Sequence, residues 1–159
     1  MTYNLSISDT QLERLTGEIA SRLDEVKRDV QEAMAEQFRD IVMSNFGPAG
    51  TDRPLPWDAL SDKSAIGRAY IKKVGRSYAT LYETGKMAQA VKTEHTEEAS
   101  SVILDDADCP YATRHHWGDK GESLPSRRVF PIKMDGQITD YTKDAVMEAA
   151  VQTLQKALA

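Results

Sequence analysis

Between Leu12 and Ile41 apolar residues return every three or four positions: Leu12, Leu15, Ile19, Leu23, Val26, Val30, Met34, Phe38 and Ile41. A mean spacing close to 3.6 is the period of an α-helix and puts the series on one face. Ser8 with Gln11 three residues later is a capping-box pattern at its start, and Gly47-Pro48 closes it. The spacing predicts one straight helix from Asp9 to about Asn45, roughly 55 Å long at the α-helical rise, with Gly17 the one place where it could break. A chain of 159 residues fits one domain with a real core. A helix of that length cannot lie wholly against such a core, so part of its apolar stripe is expected to pack on another subunit. The other face carries Glu18 with Arg22 and Asp24 with Arg28 at i, i+4, the pattern of a solvated surface.

Beyond the helix, residues 47–56 are rich in glycine and proline and are expected to form a hinge between arm and body, with Trp57 anchoring the loop in the core. Residues 61–84 mix basic and apolar side chains, and their pattern leaves helix and loop both open. Thr84-Gly85 reads as a turn. Met87 to Thr93 and Ser100 to Leu104 read as antiparallel strands around the charged loop 94–99, and Arg127 to Ile132 as a third. A helix should start at Thr139 or Asp140 and run to the C-terminus, its apolar face covering the sheet. The expected fold is α+β: a small antiparallel β-sheet packed by a C-terminal helix, with a long N-terminal helix as an arm, dividing into residues 1–46 (arm) and 47–159 (body).

The net charge of −5 argues against general attraction to nucleic acid or to an anionic membrane. No apolar run approaches the roughly 20 residues of a membrane span. The start Met1-Thr2-Tyr3-Asn4-Leu5 lacks the basic and apolar regions of a secretory signal, so a cytosol-like compartment and no membrane partner are expected. Cys109 is the only cysteine; it can form neither an internal disulfide nor a cysteine-based zinc site within one chain, and is expected to be a small buried hydrophobe. Neither of the two glycine-rich phosphate-binding motifs occurs.

Residues 111–134 hold the most unusual composition: two of the three histidines, one of two tryptophans, two prolines and an arginine pair. Tyr111, His115 and Gly118 fall at spacings of four and three, predicting a helical turn ended by a left-handed glycine. His115 and His116 point about 100° apart on such a turn, so they cannot readily share an ion with Asp119. A nuclease of the type that begins with a His pair needs a further downstream histidine, and none follows His116. No residue set supports catalysis, a metal or a cofactor. Arg127 and Arg128, adjacent on an expected strand, would face opposite sides; either the inward one makes a bidentate pair with a carboxylate, or both are solvated.

Tyr111-Ala112-x-x-His115-x-x-Gly118, then Leu124-Pro125-Ser126-Arg127-x-x-Phe130, resembles the signature of the phage virion-morphogenesis (tail-completion) family, which includes the Mu-type neck proteins. Upstream, Trp57-x-x-Leu60-Ser61 and Leu81-Tyr82-Glu83-Thr84-Gly85-Lys86-Met87 look like further elements of it, so the resemblance covers about residues 55–159. Met87 stands where the family usually has leucine, and the insert Asp119 to Ser123 is polar rather than minimal. The resemblance implies a non-enzymatic virion subunit of the neck, made in the host cytoplasm and assembled into a six-fold ring. Its partners would be copies of itself, the head connector or portal adaptor, and the tail terminator or tail tube, with DNA passing through transiently. It marks Trp57, Thr84, Gly85, Tyr111, His115, Trp117, Gly118, Pro125, Arg127, Arg128 and Phe130 as interface or fold-signature residues.

The sign of charge alternates along the chain. Residues 1–45 hold nine acidic and five basic side chains, 51–85 four and six, 86–108 six and two, and 109–134 two and five. A positive flank of one subunit could therefore meet a negative flank of the next. Two rival readings remain. One is a nucleic-acid-associated module or small nuclease using Lys72, Lys73, Arg76 and the His pair; the other is a regulatory protein that binds a partner through the arm.

Overall fold

The computed structural model describes residues 9–47, 50–55, 57, 72, 81, 85–105, 107–118 and 126–159. Helix α1 (Asp9–Ser44) is continuous over 36 residues, about 54 Å at the α-helical rise. It passes through Gly17, where an added Cβ would meet open space. Ser8 of its capping box lies outside the described residues. On the solvated face, Glu18 lies 3.7 Å from Arg14 and Glu32 3.9 Å from Arg28, so these pairs run in the opposite direction along the helix from the spacing Glu18 to Arg22. Being exposed, they add little.

Burial divides α1 in two. Residues 9–25 are exposed throughout, Val26 and Val30 are half-buried, and Ala35, Ile41 and Val42 are buried. The reason is helix α4 (Asp140–Leu158), which packs on α1. Its first turn lies by Asp52, which is bonded to Asn45 at the end of α1, while Met147 shares a hollow with Met34. It therefore runs back along α1, and eleven residues past Met147 its end comes level with about Leu23 by helical rise. Only the stretch beyond that point is a free arm. Thr139, extended at φ −61° and ψ 152°, is the N-cap of α4 and its side chain accepts from the Thr142 amide.

Helix α2 (Lys86–Gln89) is a single turn, opened by Gly85 at φ 71°, a left-handed conformation that glycine enters without a Cβ penalty. The strand expected from Met87 thus starts four residues later, at Val91. Strands β1 (Val91–His95) and β2 (Ser100–Leu104) pair antiparallel, from Val91 opposite Leu104 to His95 opposite Ser100. The turn between them is closed by the Thr96 amide donating to the Ala99 carbonyl at 2.8 Å. The hairpin lies against α1.

The third strand is a correction. Residues 126–129 join no ladder, and the sheet among the described residues has two strands. The cause is where their backbone bonds go. The Arg127 amide donates to the His115 carbonyl at 2.8 Å and the Val129 amide to His116 Nδ1 at 3.3 Å. The Arg128 carbonyl accepts from Trp57 Nε1 at 3.2 Å, and the Val129 carbonyl from Asn45 Nδ2 at 2.9 Å. Helix ends and side chains take the groups that a neighbouring strand would need. Past this strap, Ile132 and Ile138 form an isolated antiparallel bridge.

The core gathers Val42, Phe46, Met87, Val91, Cys109 and Val129, with Phe38, Trp57 and Phe130 packed against them. Cys109 is fully buried. No helix among the described residues is long and apolar enough to cross a membrane.

The described part of residues 47–56 is a clasp rather than a hinge. Arg53 donates to the Asn45 carbonyl from Nε at 3.0 Å and from Nη2 at 2.6 Å, and also to the Gly47 carbonyl, covering acceptors left open at the end of α1. Its guanidinium lies 3.8 Å from the centroid of Trp57. Gly50, at φ 63°, lets the chain turn tightly enough for this, and a Cβ there would fall 2.7 Å from Arg53 Cζ. Gly50→Ala is expected to cost about 2 kcal/mol through strain and the displaced guanidinium. In a thermal melt that is a fall of about 4 to 8 °C for a chain of this size; an unchanged melting temperature would show that the clasp is dispensable.

Candidate functional site

Helix α3 (Ala112–Trp117) starts after Tyr111 and ends at Gly118, whose amide donates to the Arg114 carbonyl at 2.8 Å. Gly118 has φ 79° and ψ 168°. It is not the left-handed helical residue expected but lies in the extended half of positive-φ space, which is essentially closed to every other residue. Ser126 and Arg127 return to this helix: Ser126 Oγ donates to the His116 carbonyl at 2.7 Å, beside the Arg127–His115 bond already described.

The two histidines differ. His115 is half-buried with Tyr111 edge-on at 5.7 Å; burial, then Arg127 and Arg114, hold its pKa below the usual value. His116 is 4 % exposed, and burial, with Arg128 adding to it, brings its pKa down to about 4. Its Nδ1 accepts the Val129 amide, which requires a free lone pair there and leaves the proton of the neutral imidazole on Nε2. Trp117 and Phe130 meet it edge-on at 4.7 and 5.5 Å. A second proton or a metal at Nδ1 would have to displace Val129, so His116 is a neutral structural member of the core.

Both arginines are buried, at 8 % exposure for Arg127 and 4 % for Arg128, which rules out two solvated side chains. Arg128 Nη1 donates to the carbonyls of Ile132 at 2.8 Å and Lys133 at 2.9 Å. Its guanidinium sits 4.9 Å from the Trp117 centroid. The partners shown for Arg128 are main-chain acceptors, the Met134 sulfur and an aromatic face.

Of the signature residues, Trp57, Tyr111, His115, Trp117, Gly118, Arg127, Arg128 and Phe130 belong to the region around α3 and the strap, and Gly85 opens the turn before β1. Thr84 and Pro125 lie outside the described residues, as do Leu60, Ser61, Lys73, Arg76 and the insert 119–123. Sequence reasoning does not single out Asn45, Asp52 or Arg53, and considers His116 only as half of the His pair. Asn45 is fully buried: Nδ2 donates to the carbonyls of Asp52 and Val129, both at 2.9 Å, and Oδ1 accepts from the amides of Thr51 at 3.1 Å and Asp52 at 2.9 Å. Asp52 Oδ2 in turn accepts from the hydroxyls of Thr139 and Thr142. An asparagine just ahead of Gly47-Pro48 is a turn signal; nothing local shows that it reaches across 84 positions to Val129.

Among the described residues, no three His, Cys, Asp or Glu side chains stand where they could hold a metal ion. What the site presents outward is apolar: Trp117 is 56 % exposed over the buried Arg128, beside a hollow of about 370 Å³. Such a surface recognises by shape and stacking. No known family, curated protein or solved structure matches the chain.

Proposed function

We propose that this chain is a structural subunit of a tailed-phage neck, a tail-completion protein that joins the head connector to the tail in a ring of about six copies. One observation carries the reading: pieces of the resembled signature that lie far apart in sequence interlock. Trp57 bonds the Arg128 carbonyl, Arg127 bonds the His115 carbonyl, and His116 packs on Phe130. These contacts hold a scaffold in shape, which is what a subunit working by fit requires. The net charge of −5 suits a channel that repels phosphates and lets DNA slide past.

The test is a phage in which this gene is deleted. Filled heads and separate tails, restored to joined infectious particles when the protein is supplied, are expected. Normally joined particles without it would end the proposal. Tight binding to short duplex DNA at modest salt would move the function to the nucleic-acid reading that invokes Lys72, Lys73 and Arg76.

A further inference from the structure

Where α4 lies back across α1 and the β1–β2 hairpin comes up beside them, a hollow of about 440 Å³ stays open. Its walls are apolar: Met34 and Phe38 of α1, Val102 of β2, and Val146 and Met147 of α4. The volume falls in the range that holds one small ligand, about 300 to 1,000 Å³. Walls of this kind offer water few partners and gain by meeting an apolar body.

Four polar side chains among the described residues line the hollow, and three are already engaged. Gln31 Nε2 donates to the Glu98 carbonyl at 3.1 Å, Ser100 Oγ lies 2.8 Å from His95 Nδ1, and the Thr142 hydroxyl donates to Asp52. The fourth is Lys143, which is exposed and whose ammonium has no partner among the described residues. It is also the one charged residue among those that line the hollow. The acidic side chains nearby are directed elsewhere. Glu32 and Glu36 of α1, and Asp144 and Glu148 of α4, sit roughly 110° or more round their helices from the mean direction of the lining residues, at about 100° per residue. Asp140 is paired with Lys133 at 3.1 Å, and Glu97 and Glu98 line a separate polar hollow with Asp24 and Glu25.

An apolar hollow with one uncommitted cation fits a ligand of matching make-up. We infer that the hollow binds a small amphiphilic carboxylate, a medium-length aliphatic chain whose body fills the space between α1 and α4 and whose carboxylate meets Lys143. The lysine stem can lie along the apolar wall while its ammonium reaches toward water, and there a carboxylate forms a charge-assisted hydrogen bond with it. The site does not rest on the neck reading: particles that join normally without the protein would remove the neck function and leave this site standing.

The test is titration calorimetry of the full chain with hexanoate, octanoate and decanoate, each below its micelle concentration. Affinity should rise about two- to fourfold per added methylene, the upper value being that of a fully buried one. Decylamine, with the same chain and a positive head, should bind at least about tenfold more weakly than decanoate. Lys143→Gln should weaken decanoate about tenfold, the loss of one charge-assisted hydrogen bond, and leave decylamine unchanged. Met147→Glu sets a carboxylate on the wall one turn from Lys143 and should abolish decanoate binding. Both positions are exposed, so each variant should melt as the wild type does. Absence of decanoate binding at millimolar concentration overturns the inference. So does an affinity that ignores chain length, equal binding of decylamine, or a Lys143→Gln protein that takes decanoate as the wild type does.

Discussion

Asn45→Ala should remove about 4 kcal/mol of stability, a large share of the 5 to 15 kcal/mol typical of a domain. Four main-chain groups from two segments lose their partner at once: the Thr51 and Asp52 amides and the Asp52 and Val129 carbonyls. An unsatisfied buried group costs about 1 to 3 kcal/mol, and the partial exposure around Thr51 and Asp52 keeps the sum toward the lower end. Asn45→Asp keeps both acceptor bonds but sets a buried carboxylate oxygen against two carbonyl oxygens, so at pH 7 it should cost at least as much as alanine. Urea titration followed by tryptophan fluorescence reads the series. A loss below about 1 kcal/mol for alanine would show that water takes over these groups, and that Asn45 does not organise the joint between α1, the clasp and the strap.

The second large effect is a loss of stability in mild acid. His116 titrates near 4 in the folded chain and near 6.5 when unfolded. Between those values the unfolded chain binds a proton that the folded chain does not, so stability falls as pH drops from about 6.5 to about 4 and levels off below. The difference corresponds to about 3 kcal/mol, and His115, shifted the same way, adds to it. His116→Asn keeps an acceptor near Nδ1 for the Val129 amide but cannot titrate there. It should be less stable than wild type at pH 7 and lose much less on going to pH 5. If both proteins lose stability in parallel between pH 7 and 5, the acid response comes from elsewhere.

The sequence made α1 legible almost to the residue, because a long stripe at one period has no competing interpretation. The C-terminal helix and the β1–β2 hairpin were legible for similar reasons: Thr139 is a strong cap, and Val102-Ile103-Leu104 favours strand. The third strand was not. Arg127 to Ile132 has strand-like residues, but extended backbone becomes a strand only if a neighbour supplies its bonds, and here His115, His116, Asn45 and Trp57 supply them instead. Met87 to Gln89 failed for a local reason, since the left-handed Gly85 turns the chain into one helical turn first. At the candidate site the sequence marked the right stretch and missed its organisation. The burial of Arg128 depends on the carbonyls of Ile132 and Lys133, which carry no side-chain signature.

The strap has a further consequence. Its main-chain groups meet a helix carbonyl, an imidazole, an indole and a carboxamide, four chemically unlike partners at fixed places. Sliding the chain by a single position would mismatch all of them together, whereas a ladder of like bonds can slip and still be half satisfied. The segment therefore seats or lifts as one piece, and the Phe130 and Trp117 surface exists only while it is seated.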